Sequence, residues 1–388
     1  MKLDLCLMRI EHRNPYLLLA AKLVQLLENV YLKLLEEINR PSISIIFLMI
    51  LMKKLTNSIY VTTQGSYLHK ERDTIVLEVN KKKVAQIPVH SIGQIYCFGN
   101  VLISPFLVGF CGERNVLLSL FTENGRYLGR FIGEQSGNVL LRKNQFRIAE
   151  NNPLSIAKNI IAAKIQSSKR VLQRFIRNHT NNSEIESTIG SLTFILNNIK
   201  NITSKQSLLG LEGDAASRYF SVFDTLILKP SNFRFNGRFK RPPTDPVNAI
   251  LSFLYSVLSN DITSALQGVG LDPQVGFLHS DRSGRSSLSL DILEELRAWL
   301  VDRLVLTMIN LKQIDINGFE VELSGAIRMK DDLRKKILSI YQSKKQELII
   351  HPYINEKIPI GLIPHVQSQL LARHLRGELQ EYPPFLMR

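Results

Sequence analysis

Three short stretches in the second half of the chain carry side chains that could do chemistry. In Leu209-Gly210-Leu211-Glu212-Gly213-Asp214-Ala215-Ala216-Ser217-Arg218-Tyr219-Phe220, glycines flank Glu212 at the expected start of a helix whose small residues would permit close backbone approach. In Gly276-Phe277-Leu278-His279, a histidine arrives from a loop after Asp272-Pro273. In the stretch from Ser287 to Arg297, helical spacing puts Asp291 with Glu294 and Glu295, at i+3 and i+4, on one side. One imidazole nitrogen with two or three carboxylate oxygens is a ligand set for a borderline-to-hard divalent ion, Mn²⁺ or Mg²⁺ before Zn²⁺. Such an ion polarises a phosphodiester, activates the attacking oxygen and stabilises the leaving one. Each stretch also has a plainer reading, in which His279 is a satisfied core histidine and the acids are a solvated helix face. Spacing alone does not bring the three stretches together.

The elements that must position these residues fall into two kinds. From Ser58 to about Phe131 the chain is β-rich, with short runs of β-branched and aromatic residues between polar turns such as Val79-Asn80-Lys81. Ser104 to Asn115 interrupts the strands with a short helix, and a hairpin follows about Asn124-Gly125. After Asn151-Asn152-Pro153 the apolar period changes from 2 to 3.6. Helices are expected at 154–178, 184–200, 208–228, 246–266, 288–308, 330–346 and 362–379. Strands first and helices after predict an α+β, two-domain protein, a small N-terminal β domain followed by a larger, mostly α-helical catalytic domain. The expected boundaries are 52–150 for the β-rich domain and linker and 151–388 for the helical domain.

The chain has 388 residues, a 45% apolar fraction and a formal net charge of +15, which excludes disorder as its main state and favours a polyanionic partner. Nine bases stand between Arg142 and Arg177 against one acid, Glu150, so Arg142, Lys143, Lys169, Arg170 and Arg174 are candidate phosphate contacts. A second run, Asn232 to Arg241, interleaves Arg234, Arg238, Lys240 and Arg241 with three phenylalanines. It suits single-stranded ends if the rings are exposed, and the rings could equally plug into the core. Cys6, Cys97 and Cys111 form no ligand motif and no disulfide framework, which fits a reducing cytoplasm. There is no phosphate loop, because GLEGDAAS lacks a preceding strand and the Lys-Ser/Thr ending.

The order LLGLEGDAASRYF, RFKRPPTDPVNAILSFLYSVL and GFLHSDRSGRSSLSLDILEELR closely resembles the CRISPR-associated adaptation integrases, the "Cas-one" family, and in particular its type I-C branch. The resemblance runs from Met52 to the C terminus. It implies metal ligands at Glu212, His279 and Glu294, with Asp291 as an acidic catalytic neighbour, and it matches Tyr219 and Asn248 to family positions. It also implies a metal-dependent DNA integrase and endonuclease that inserts prespacer DNA into CRISPR repeat DNA by 3′-hydroxyl attack. The expected partners are double-stranded DNA with single-stranded 3′ ends, a second copy in a homodimer, a small "Cas-two" protein and a "Cas-four" nuclease. The competing class is a non-catalytic, basic DNA-binding assembly protein.

Residues 1–51 stand apart, with no glycine among them although the chain holds 21. Their apolar run Ile43 to Leu51 is too short for a bilayer, which needs about 20 residues. The expectation is an extension outside the family, fused or from an early start codon, since Met52 begins MKKLTNSIYVTT. The alternative is an amphipathic membrane-surface helix over 16–38.

Overall fold

The protein was analysed as a computed structural model that describes residues 57–388 except 124–126, 132, 134–138, 180–181, 229–231, 240–241 and 388. The expectations for residues 1–51, Lys240 and Arg241 therefore lie outside the described residues.

Two four-stranded sheets open the chain. One has β1 (Asn57–Val61), β5 (Ile92–Phe98), β7 (Leu117–Phe121) and β8 (Tyr127–Phe131) in that spatial order, the first three parallel and the last antiparallel. The other has β4 (Lys82–Pro88), β3 (Thr74–Val79), β2 (Ser66–Glu71) and β6 (Val101–Ile103), with β6 parallel to β2. The expected turn at Asn80-Lys81 is a two-residue hairpin loop, and both residues take the positive φ that such primed turns demand. Helix α1 (Pro105–Glu113) is capped by the Ser104 hydroxyl, which accepts from Leu107 N, with Pro105 inside its first turn. Ile75, Ile95, Leu107, Phe110 and Leu118 fill the core among these elements. Cys97 and Cys111 are free, and burial pushes each thiol up to about 12, so neither is a ready nucleophile.

The central strand β5 is buried on both faces. Ile95 and Cys97 face the β core, while Tyr96 and Phe98 reach the helices: Tyr96 Oη donates to Asp261 at 2.5 Å, and the Phe98 ring lies 6.1 Å from Phe253. Asp261 also accepts from Tyr341 Oη at 2.7 Å and pairs with Lys345 at 3.0 Å, which satisfies an otherwise costly buried carboxylate.

The remainder is helical, as the change of period predicts, and the fold is α+β. Helix α2 (Val139–Asn151), within the expected linker, precedes α3 (Leu154–Asn178), α4 (Ser183–Asn198) and α5 (Lys205–Ser221). Helix α6 (Pro246–Gly268) is long and apolar enough to cross a membrane by composition, but 72% of its apolar window is buried among its neighbours, as in a core helix. The expected helix 288–308 is three pieces: α7 (Ser287–Leu296), a π-helical segment at Arg297–Asp302, and α8 (Arg303–Asn310). π-Turns widen a helix by one residue and concentrate at functional sites. Short hairpins β9/β10 (Phe319–Val321, Ile327–Met329) and β11/β12 (Leu348–Ile350, Lys357–Pro359) flank α9 (Asp331–Gln346), and α10 (Ile363–Leu375) leads to the C-terminal tail.

Candidate active site

Helices α3, α5 and α7 converge on one small polar centre. Glu212 lies in the middle of α5, not at its start, because the helix begins at its Ser204 cap. The flanking Gly210 and Gly213 do not serve close packing: a methyl group at either would meet open space. They leave the surface beside Glu212 bare.

Between Glu212 and Glu294 stands Lys164 of α3. Its Nζ contacts Glu212 Oε1 and lies 2.7 Å from Glu294 Oε2. Arg297 Nη2 approaches Glu294 Oε1 at 3.2 Å. Burial by itself would raise the Glu294 carboxyl, but Arg297 and Lys164 hold it down to about 2. Glu294 is thus ionised over the whole physiological range.

The histidine loop is fastened to α7 by Asp291, whose side chain is fully buried. Its Oδ2 accepts from Phe277 N at 2.6 Å and Leu278 N at 2.9 Å, and its Oδ1 accepts from His279 N at 3.0 Å. The same Oδ1 lies 2.7 Å from His279 Nδ1. An ionised carboxylate only accepts, so Nδ1 carries the proton, and in the neutral ring the lone pair is on Nε2. Asp291 is therefore a positioning residue; with its oxygens committed to the loop, it does not join the cluster around Lys164. Gly276 is required here, since a Cβ would come within 2.8 Å of Asp291 Oδ2 and 2.9 Å of the Ser287 carbonyl carbon. From the other side, fully buried Gln145 of α2 donates to Asp272 O at 2.7 Å and Val275 O at 2.9 Å and accepts from Asp272 N at 2.9 Å.

Glu295 also departs from the cluster expected of the three acids. It turns to the C-terminal tail and accepts from Tyr382 Oη at 2.7 Å, Gln367 Nε2 at 3.0 Å and Phe385 N at 2.8 Å. Burial raises it to about 7 in spite of those bonds.

A second layer braces Arg297. Its guanidinium lies 4.9 Å from the centroid of the Tyr255 ring, and the Tyr255 hydroxyl donates to Asp302, at the far end of the π-segment. Tyr219, two turns along α5 from Glu212, donates to the other Asp302 oxygen at 3.1 Å. Burial raises Asp302 to about 6. Asn248 is fully buried and structural: its amide donates to Gly237 O at 2.7 Å and Asp245 at 2.6 Å, and its carbonyl accepts from Arg238 at 2.6 Å.

The candidate DNA contacts divide accordingly. Arg238 spends its guanidinium on Asn248, Ser252, Phe239 O and the Tyr255 face, so it holds its own loop and is not presented as a phosphate grip. Arg234 lies on the outside of that loop. Phe233 and Phe235 are buried, while Phe239 is 51% exposed, so one ring of the three is available for stacking. Lys143 is exposed and Arg142 half-buried on α2; Lys169 and Arg170 are half-buried and Arg174 exposed on α3, the helix that carries Lys164. Changing Arg170 and Arg174 together to glutamine is expected to weaken DNA binding and to flatten the log–log salt dependence by about one unit per lost phosphate contact. An unchanged slope in a salt titration would remove α3 from the DNA surface.

The family described as CRISPR associated protein Cas1 matches residues 59–343. The chain belongs to the Cas1 family. A Cas1 relative from Chlorobaculum tepidum, described as CRISPR-associated endonuclease Cas1 1, is 43% identical over 343 residues, covering 87% of this chain and all of its own. The Cas1 protein TM1797 from Thermotoga maritima superposes with a TM-score of 0.72 at 26% identity, over 83% of this chain and 97% of its own. A relative from Geobacter sulfurreducens, described as a CRISPR-associated exonuclease Cas4/endonuclease Cas1 fusion, is 31% identical over 85% of this chain and 60% of its own. The expected nuclease class agrees with the endonuclease description that these Cas1 relatives carry.

Among the described residues no three histidine, cysteine, aspartate or glutamate side chains stand close enough together, as placed, to hold a metal ion. The donors nonetheless suit a divalent ion in kind: the two carboxylates of Glu212 and Glu294, which already share a cation in Lys164, and the imidazole of His279. Sequence reasoning missed Lys164, Gln145 and Arg297. Of these only Lys164 left a signal, as a charge set inside the apolar run Ile160-Ile161-Ala162-Ala163-Lys164-Ile165.

Proposed function

We propose that this chain is a divalent-metal-dependent DNA integrase and endonuclease of CRISPR adaptation, which joins the 3′-hydroxyl of a prespacer strand to a phosphodiester of the repeat. The observation that carries the reading is the meeting of Glu212 and Glu294 around a cationic centre, with His279 held nearby in a ligating tautomer. Glu212, His279 and Glu294 would hold Mn²⁺ or Mg²⁺, which supplies Lewis-acid polarisation of the phosphodiester and stabilises charge on its nonbridging and leaving oxygens.

The chain's own residues do the rest. Asp291 and Gln145 fix the loop so that Nε2 needs no reorientation when DNA arrives. Arg297, braced on Tyr255, places a permanent positive charge beside Glu294, where phosphate oxygens gather negative charge. The bare surface at Gly210 and Gly213 leaves room for a nucleic-acid backbone next to Glu212. One phosphodiester replaces another, so no nucleoside triphosphate is consumed, consistent with a chain that has no phosphate loop. With water in place of the 3′-hydroxyl, the same groups hydrolyse DNA.

Family membership supports the remaining parts of the reading. Residues 52–150 would serve a homodimer and 151–388 the chemistry, in the cytoplasm, on CRISPR repeat DNA and prespacers with single-stranded 3′ ends. Assembly with a Cas2 protein follows from the family resemblance, and the Cas4/Cas1 fusion supports a Cas4 partner. Glu212→Gln, which keeps the side chain's shape and removes its charge, is expected to lose Mn²⁺-dependent cleavage and joining while binding DNA as before. Retained activity in that variant would favour the non-catalytic assembly role.

A further inference from the structure

We propose that Lys164 is a built-in counter-cation of this centre: its ammonium holds Glu212 and Glu294 together before a divalent ion is bound and withdraws when one binds, so that it sets how tightly metal is held. The inference rests on the metal-dependent reading above.

Two carboxylates facing each other in a largely buried pocket repel, and something must neutralise them for the helices to pack. Lys164 does this. It touches both acids, its side chain is 11% exposed, and it springs from a stretch of α3 in which Ile160, Ile161, Ala163 and Ile165 are core residues. Its Nζ lies where ligands from Glu212 and Glu294 would have to meet. Its 2.7 Å contact with Glu294 Oε2 and its contact with Glu212 Oε1 place one ammonium between the two carboxylates. An ammonium and a divalent ion cannot occupy the same point between two carboxylates. Lysine has a flexible four-carbon stem and a compact charge, which suits a group that must move aside, whereas a guanidinium fork would be fixed to its partners.

The test is Mn²⁺ binding to the full-length chain, followed by the loss of the free-ion EPR signal, with thermal melts in the presence and absence of Mn²⁺. Lys164→Met is expected to bind Mn²⁺ roughly tenfold more tightly than wild type, because a competing charge is gone. Its metal-free form should melt lower and gain more from Mn²⁺. Lys164→Arg should bind Mn²⁺ no better than wild type. In the wild-type chain, amine-directed labelling read by mass spectrometry should rise at Lys164 when Mn²⁺ is added, which tests the idea even where Lys164→Met does not fold without metal. Unchanged or weaker Mn²⁺ binding by folded Lys164→Met, or labelling that stays flat or falls, would overturn the proposal. Absence of Mn²⁺ binding by the wild-type chain would instead overturn the metal reading, and this proposal with it.

Discussion

Replacing His279 with alanine is expected to lower metal-dependent DNA joining and cleavage by more than about a hundredfold, with DNA affinity and melting temperature near wild type. The imidazole is 19% exposed and makes one hydrogen bond, through Nδ1 to Asp291. Truncation leaves Asp291 still bonded to the backbone N–H of Phe277, Leu278 and His279, so the loop keeps its shape. What disappears is the imidazole itself, with the Nε2 that the proposed function gives to the metal. A gel assay for joined product, a binding titration and a melt on the same preparation separate these effects. Full activity in the alanine variant would remove His279 from the chemistry.

Asp291→Asn should cost nearly as much by a different route. The substitution preserves volume, but an amide has one acceptor oxygen where the carboxylate has two. Either the amide nitrogen faces Phe277 N and Leu278 N, leaving buried donors unpaired, or it faces His279. In the second arrangement the amide donates to Nδ1, which drives the imidazole proton onto Nε2 and blocks the ligating position. The expected result is a loss of activity and Mn²⁺ affinity of roughly 10- to 100-fold, with destabilisation of about 1–3 kcal/mol from the mispaired groups. Mn²⁺ affinity measured well below the melting temperature distinguishes the two contributions. A variant that melts lower but binds Mn²⁺ as wild type does would show that Asp291 only fastens the loop and has no hold on the tautomer.

The coarse architecture was legible because it rests on periodicity. The helix expected at 154–178 is α3, Leu154–Asn178, since its apolar stripe is regular and Pro153 marks its start. The preceding α2 was not legible: its mixture of bases and amides shows no clean stripe, and its key residue, Gln145, is a polar side chain buried by the loop it clamps. The π-segment was hidden for a related reason, because one extra residue between Leu296 and Arg303 shifts an apolar pattern without breaking it.

The site was legible as a set of residue types and became a set of positions through the family resemblance. Charge density in sequence could not distinguish Lys164, turned inward between two acids, from Arg174 on the surface of the same helix. Nor could helical spacing divide Asp291, Glu294 and Glu295. Their three partners are a loop, a neighbouring helix and the C-terminal tail, all remote in sequence. In the same way sequence left the run 232–241 open between a DNA grip and a core plug, whereas Asn248 draws Arg238 inward, Phe233 and Phe235 are buried, and Arg234 and Phe239 lie outside.

The most direct test of the central claim uses the wild-type chain, a repeat duplex and a labelled DNA strand ending in either a 3′-hydroxyl or a 3′-deoxy terminus, with Mn²⁺ and no nucleoside triphosphate. The account predicts a covalently joined product from the 3′-hydroxyl strand alone, lost on chelation of the metal. Joined product from the 3′-deoxy strand, or equal yield after chelation, would contradict it.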